Sequence, residues 1–309
     1  MDNRQLKQFL TLAETLHFGR ASTACHLSAS ALSRAIRAME EELGVSLFER
    51  DNRSVALTPA GERFRRHARE LLSQWDDIRQ SLLEDSDELR GELSLYCSVT
   101  ASYSFLYEIL ATFRVRHPHV ELKLHTGDPA VALERVLMGH EDLAIAARPD
   151  VLPSRLAFTD FAESPLRFIA PRRDGPGQQL EGIGEADDSA AGDDHIDWTR
   201  VPMILSETGL ARERFDAWCH TRGIKPRLYA QVAGNEAIVS MVGLGFGIGV
   251  VPQIVLDNSP LADQVRILDV DPPLTPYKVG LCVQEKRLRH PLVRALWEQL
   301  PGSPQRPAD

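Results

Sequence analysis

Between positions 30 and 37, serine and arginine recur at helical spacing. Ser30, Ser33, Arg34 and Arg37 fall at i, i+3, i+4 and i+7, which is one face of an α-helix. Hydroxyls bond phosphates or base edges, and a guanidinium makes a bidentate pair with guanine. A plain solvated face would have the same composition. Leu32, Ile36, Met39 and Leu43 take the opposite face, Ser28 is a good N-cap and Gly44 a good C-terminal stop, so the spacing predicts a helix over 29–42. Residues 47–58, LFERDNRSVALT, read as a hairpin with a polar Asp51-Asn52 tip. Arg50, Asn52 and Arg53 would there reach a phosphate backbone or minor groove, or simply decorate a charged turn.

A second set of residues suits a small anion. Ser98, Val99, Thr100, Ala101 and Ser102 follow a strand-like run and open a helical one, so hydroxyls and N–H groups gather at a helix start. Ligands of open α/β sheets sit at the carboxyl ends of strands. That rule adds Thr126 in Thr126-Gly127-Asp128, Ser206 with Arg212 nearby, and Asn235 in Gly234-Asn235-Glu236. Arg212 has the chemistry of a carboxylate clamp; simple N-capping by the hydroxyls and a surface role for the arginine are the alternatives. Catalytic signatures are missing: there is no GxSxG and no Walker A motif, and GLGFGIG at 243–249 follows a helix and enters a strand, the reverse of the phosphate-loop order. The ten histidines show no HExxH and the four cysteines no CxxC, so neither a metal nor a cofactor is expected and a reducing compartment is.

The elements that must position these residues follow from periodicity. Leu6, Phe9, Leu10 and Ala13 mark a first amphipathic helix, and a short second one runs over 18–26 with the small Ala21 and Ala24. Thr58-Pro59-Ala60-Gly61-Glu62 starts a long helix reaching about residue 83. Phe64, Ala68, Leu71, Trp75, Ile78 and Leu82 repeat at 4, 3, 4, 3, 4, an a/d seam expected to pair two copies, with packing on the chain's own second domain as the alternative. Beyond it, strand-like runs at 92–97, 120–125, 142–146, 167–169, 203–205, 228–232 and 246–251 alternate with helical stretches at 102–117, 130–139, 211–222, 236–244 and 291–299. Such alternation predicts an α/β domain with largely parallel sheets.

Charge divides the same way. Residues 1–69 hold 11 Lys+Arg against 8 Asp+Glu, whereas 70–309 hold 24 against 36, within a chain of 309 residues and net charge −9. Any nucleic-acid surface therefore belongs to the N-terminal part. No apolar run approaches the roughly 20 residues of a membrane span, and no signal-peptide layout opens the chain. The expected setting is cytoplasmic and nucleoid-associated, with no membrane partner. A transporter's solute-binding protein would leave residues 1–90 unexplained, and a cytosolic α/β enzyme would need an acid/base cluster that is not legible.

FGRASTACHLSASALSRAIRAMEEELG and LFERDNRSVALTPAG resemble the N-terminal domain of LysR-type transcriptional regulators, and the resemblance extends over nearly the full chain. It implies an all-α winged helix-turn-helix over 1–58, a linker and dimerisation helix over 59–90, and a two-lobed, periplasmic-binding-protein-like effector domain over 91–302. Lobe I would take about 92–162 and 266–300, and lobe II about 163–265. It further implies double-stranded operator DNA, RNA polymerase and other copies of the chain (dimers, paired into tetramers) as partners, and effector contacts in the Ser98–Ser102 segment. Within the family, GELSLYCSVTASYS, LKLHTGD, DLAIAARP and NEAIVSMVGLGFGIGVVP resemble regulators of isoleucine–valine biosynthesis, implying an activator induced by acetolactate or acetohydroxybutyrate, with a regulator of another pathway sensing a different small carboxylate as the alternative. The acidic segment 172–197 is longer than that resemblance leads one to expect, and its composition reads as a surface loop.

Overall fold

The computed structural model describes residues 1–50, 54–81, 88–172 and 196–300. The expected wing tip with Asp51, Asn52 and Arg53, the last seam residue Leu82 and most of the acidic segment lie outside the described residues. The chain divides into two compact units, Met1–Asp87 and Glu88–Asp309.

In the first unit, α1 (Asn3–Thr15) opens with a reciprocal cap: the Asp2 carboxylate accepts from the Gln5 N–H, and the Gln5 side chain accepts from the Asp2 N–H, both at 2.8 Å. α2 (Phe18–Ala24) and α3 (Ala29–Leu43) follow, then the antiparallel pair β1 (Phe48–Arg50) and β2 (Val55–Leu57), then α4 (Pro59–Ser81). Leu6, Phe9, Leu12, Leu32, Ile36 and Met39 are buried together, each worth roughly 1.5–3 kcal/mol of transfer from water. Leu43, expected on that apolar face, is instead exposed at the end of α3. Glu40 fastens the hairpin to α3 by accepting from the Leu47 and Phe48 N–H groups at 2.9 and 3.1 Å. At Gly61 any Cβ would fall 2.1 Å from the Leu47 carbonyl oxygen, so α4 approaches the hairpin as closely as only glycine permits.

The α4 seam separates into two parts. Phe64 packs edge-on against Phe9 at 4.7 Å, and Ala68 is fully buried in the same core. These two residues pack within their own unit, contrary to the expectation of one continuous seam between copies. The heptad pattern could not separate them, because a core of the same chain and a partner helix select the same residue types. Leu71, Trp75 and Ile78 remain exposed, at 46%, 54% and 54%.

The second unit holds two five-stranded sheets. The first has the order β4-β3-β5-β12-β6, built from β3 (Gly91–Cys97), α5 (Val99–Arg116), β4 (Val120–Thr126), α6 (Ala132–Leu137), β5 (Leu143–Ala147) and β6 (Leu156–Ser164), with β12 and α10 returning later. The second, β11-β7-β10-β8-β9, takes β7 (Leu166–Pro171), β8 (Pro202–Ser206), α7 (Leu210–Arg222), β9 (Arg227–Val232), α8 (Asn235–Gly243), β10 (Ile248–Pro252), α9 (Gln253–Asp257) and β11 (Val265–Leu268). β12 (Tyr277–Gln284) and α10 (Pro291–Glu298) then rejoin the first sheet.

Each sheet is mixed, not largely parallel. β3 runs parallel to β4 and β5, and β8 to β9 and β10, through helical crossovers; β12 is antiparallel to β5 and β6, and β7 to β10 and β11. The antiparallel pairs arise where the chain crosses between lobes without a helix, at β6 to β7 and at β11 to β12. β11 pairs with β7, so lobe II extends to Leu268 and the return crossing occupies 269–276, later than the boundary at 266 expected from sequence. Apolar cores lie on both faces of each sheet, under α5 and α10 or α6 in lobe I, and under α7 or α8 and α9 in lobe II.

Candidate functional site

The first candidate surface is the N-terminal half of α3. Ser28 caps it: its hydroxyl oxygen accepts from the Ala31 N–H at 3.2 Å and lies 3.1 Å from the Ser30 hydroxyl. Ser28, Ser30, Arg34 and Arg37 are exposed and Ser33 is half-buried, while Leu32, Ile36 and Met39 are buried beneath them. One helix thus presents its positive end and two guanidiniums outward from a rigid apolar base. β1 ends at Arg50, at the entry to the wing.

The second candidate is the cleft between the lobes. A cavity of about 120 Å³ is walled on lobe I by Asp128, Pro129, Ala130, Leu133, Ala147, Pro149 and Tyr277, and on lobe II by Ser206, Thr208, Gly209, Leu210, Glu213, Gly234 and Asn235. Gly209 lets the lobes close here: its φ is +93°, and an added Cβ would stand 3.0 Å from the Ala130 Cβ. The Tyr96 hydroxyl donates to the Asp128 carbonyl at 3.0 Å, fixing the loop after β4. Burial raises the pKa of the Tyr277 hydroxyl above the ordinary tyrosine value, so it is a neutral donor at physiological pH.

Of the residues read from sequence, Ser206 and Asn235 line the cavity. Thr126 is exposed at the end of β4, and its loop reaches the cavity through Asp128 instead. Arg212 is not among the residues that line it: its Nε donates to both oxygens of Asp216 at 2.9 Å and its guanidinium to the Ser206 carbonyl at 3.3 Å. The Ser98–Ser102 segment forms the first turn of α5. Ser98 is the N-cap, its hydroxyl oxygen accepting from the Ala101 N–H at 3.1 Å; Ala101 is buried, and Ser102 donates back to the Val99 carbonyl at 2.6 Å.

Thr100 carries the contact that sequence reasoning did not anticipate. Its N–H and its hydroxyl both donate to Glu236 Oε1, at 3.1 and 2.5 Å, across a separation of 136 residues. A carboxylate of lobe II therefore sits on the N-terminus of a lobe I helix. Glu213 and Tyr277 in the cavity wall were also missed. Tyr277 opens a strand not expected from sequence, although Tyr277, Val279, Leu281 and Val283 keep a period of two. Glu213 reads as an ordinary residue of a helix first turn and carried no local signal.

Among the described residues, no helix is long and apolar enough to cross a membrane and no cluster of His, Cys, Asp or Glu could hold a metal. Residues 3–62 match "Bacterial regulatory helix-turn-helix protein, lysR family", and residues 86–303 match "LysR substrate binding domain". The chain is 45% identical over 305 residues to the HTH-type transcriptional activator IlvY of Salmonella typhimurium (strain LT2), covering 98% of this chain and all of that protein. It is 44% identical over 305 residues to the HTH-type transcriptional regulator IlvY of Escherichia coli K12, covering 98% and 99%. Full-length OxyR from Pseudomonas aeruginosa has the same fold, with a TM-score of 0.65, 21% identity and 99% of each chain covered. With both of its units matched and near-complete relatives at this identity, the chain belongs to the LysR family of DNA-binding transcriptional regulators, which pair a helix-turn-helix with an effector-binding domain and form oligomers.

Proposed function

We propose that the protein is an inducer-responsive transcriptional activator of isoleucine–valine biosynthesis, acting in the cytoplasm on the promoter of the acetohydroxy acid isomeroreductase gene. The observation that carries this reading is the 45% identity to the activator IlvY over the whole of both chains. α3 enters the major groove, with Ser28, Ser30, Ser33, Arg34 and Arg37 contacting phosphates and bases, and Arg50 and Arg53 serve the wing. Leu71, Trp75 and Ile78, continued by Leu82, pair two copies of α4, so that a dimer spans a two-fold operator and dimers associate further into tetramers. Phe64, half-buried in its own unit's core, braces that helix.

The inducer is a small carboxylate, acetolactate or acetohydroxybutyrate, held between the lobes. Its carboxylate takes the α5 N-terminus at Ser98, Thr100, Ala101 and Ser102, and its hydroxyl and keto groups face Ser206 and Asn235. A ligand shifts the lobes only through different affinities for their two arrangements. The inducer therefore acts on DNA geometry, letting RNA polymerase engage an operator that is already occupied. Footprinting without inducer, paired with promoter transcription across an acetolactate titration, tests this. Occupancy without inducer and activation on its addition are expected; a promoter bound but unresponsive to both hydroxy-keto acids would reassign the effector to another small carboxylate.

A further inference from the structure

The cleft poses a charge problem for an anionic effector. Among the residues that line the cavity the charged side chains are Asp128 and Glu213, both carboxylates. A carboxylate placed among them meets like charge and finds no cation. Close by, the group that suits an anion is the first turn of α5, where a helix of 18 residues directs its positive end outward. That place is taken. Glu236 Oε1 accepts both the Thr100 N–H and the Thr100 hydroxyl, and Asn235, its neighbour in sequence, lines the cavity.

We propose that Glu236 is a tethered stand-in for the effector's carboxylate: it occupies the α5 N-terminus in the effector-free protein, and the effector binds by displacing it. This rests on the reading of the effector as a small carboxylate. The two partners differ in a way that suits exchange. Thr100 is only 5% exposed and rigidly placed in its helix, whereas Glu236 is exposed at the start of α8 and has water to move into. The displaced contact is also an interlobe contact. While Glu236 holds Thr100, lobe II is fastened to α5 there and, one turn on, through Asn258 Nδ2 donating to Ser104 Oγ at 3.0 Å. Replacing Glu236 by a free carboxylate keeps the helix N-terminus satisfied but removes one interlobe fastening. The effector thus gains a difference in affinity between the fastened and unfastened arrangements, which is what a switch requires.

The experiment compares the full-length parent with Glu236→Ala and Glu236→Gln. Amide hydrogen exchange is read first without ligand, then with acetate as the minimal carboxylate. 2-Acetolactate is then titrated by calorimetry. The expected result is faster ligand-free exchange over 99–102 in Glu236→Ala, reversed by acetate. 2-Acetolactate should bind about tenfold tighter than to the parent, the equilibrium worth of roughly one charge-assisted hydrogen bond no longer contested. Glu236→Gln should fall between, and both variants should fold but melt slightly below the parent, since the contact they lose is the one the effector no longer has to displace. If exchange rises and acetate reverses it but 2-acetolactate binds none of the three proteins, the stand-in is upheld and the assignment of the effector is what fails. Unchanged exchange, or 2-acetolactate binding that weakens on loss of the carboxylate, overturns the proposal: Glu236 would then be a passive cap or a direct ligand of the effector.

Discussion

Two helices of this protein begin alike and end in different chemistry. α3 starts Ser28-Ala29-Ser30-Ala31 and α5 starts Ser98-Val99-Thr100-Ala101. In each, a serine N-cap accepts from the N–H of an alanine three residues on, at 3.2 and 3.1 Å, and a hydroxyl follows two residues after the cap. On α3 that hydroxyl, Ser30, is exposed and lies against its own cap; on α5 it is Thr100, buried and bonded to a carboxylate from the other lobe. A Ser-capped helix start is thus a general anion receptor, and its use depends on what the fold places in front of it. The first turn of α3 is exposed. α5 faces a cleft and is occupied from within the chain.

The contrast breaks most severely at the level of assembly. A two-fold operator requires two copies of α3, whereas closing the cleft between lobes requires one chain. Replacing Leu71 and Ile78 together by Asp puts charge into the exposed α4 stripe. Operator affinity should fall by about 100-fold or more, equivalent to roughly 2.7 kcal/mol, with loss of dimers in sedimentation, while calorimetric effector binding persists. An unchanged oligomer would show that the stripe does not pair copies.

The next effect is confined to α3. Arg34→Ala removes an exposed guanidinium and nothing from the core, so specific operator binding should weaken by on the order of 1–3 kcal/mol with the melting temperature unchanged. A salt-matched gel shift giving equal affinities for parent and variant would remove Arg34 from the interface.

A smaller, paired effect tests the comparison directly. Ser28→Ala and Ser98→Ala each delete one N-cap and should each cost about 1 kcal/mol of stability in their own unit. Only Ser28→Ala should also weaken operator binding, and only Ser98→Ala should raise the half-maximal inducer concentration. Both variants losing operator occupancy would mean that the Ser98 cap is structural and its place in the effector site is lost.

Legibility in the sequence followed the same division. The α3 face was readable because Ser30, Ser33, Arg34 and Arg37 are set by a local period, and one helix suffices to bring them together. Ser98 as the opening of a helix was readable for the same reason. Glu236 on Thr100 was not, because no local pattern reports a contact spanning 136 residues. For Arg212 the sequence left a carboxylate clamp and a surface role open, because spacing places it near Ser206 but says nothing of Asp216, one turn on, which takes its Nε. β6 escaped notice because Asp160 interrupts the apolar face begun by Leu156 and Phe158, and β11 because it is four residues long; β12 was legible, since Tyr277, Val279, Leu281 and Val283 keep a period of two.

The mildest expected effect is chemical, and it again separates the two units. Cys25 closes α2 and is half-exposed, whereas Cys97, Cys219 and Cys282 are buried in the second unit. Burial raises the pKa of these three thiols to about 11, 11 and 12. With a pKa of about 11, only about one thiol in 10⁴ is ionised at pH 7, and the thiolate is the nucleophile. At neutral pH an alkylating reagent should therefore label one cysteine per native chain, Cys25, as mass spectrometry of the digested protein would show. The same shifts set a pH dependence. In the unfolded chain a thiol ionises near about pH 8.5, so the folded second unit holds protons that the unfolded chain releases. Its stability from this source is fully present below that pH and declines as pH rises toward 11–12, the folded values. Denaturant melts of the Cys282→Ala variant, whose raised thiol pKa is absent, should lose less stability than the parent between pH 8.5 and 10.5. Equal slopes for the two proteins, or labelling of Cys97 in the native chain at pH 7, would show that the second unit opens far more readily than its packing implies.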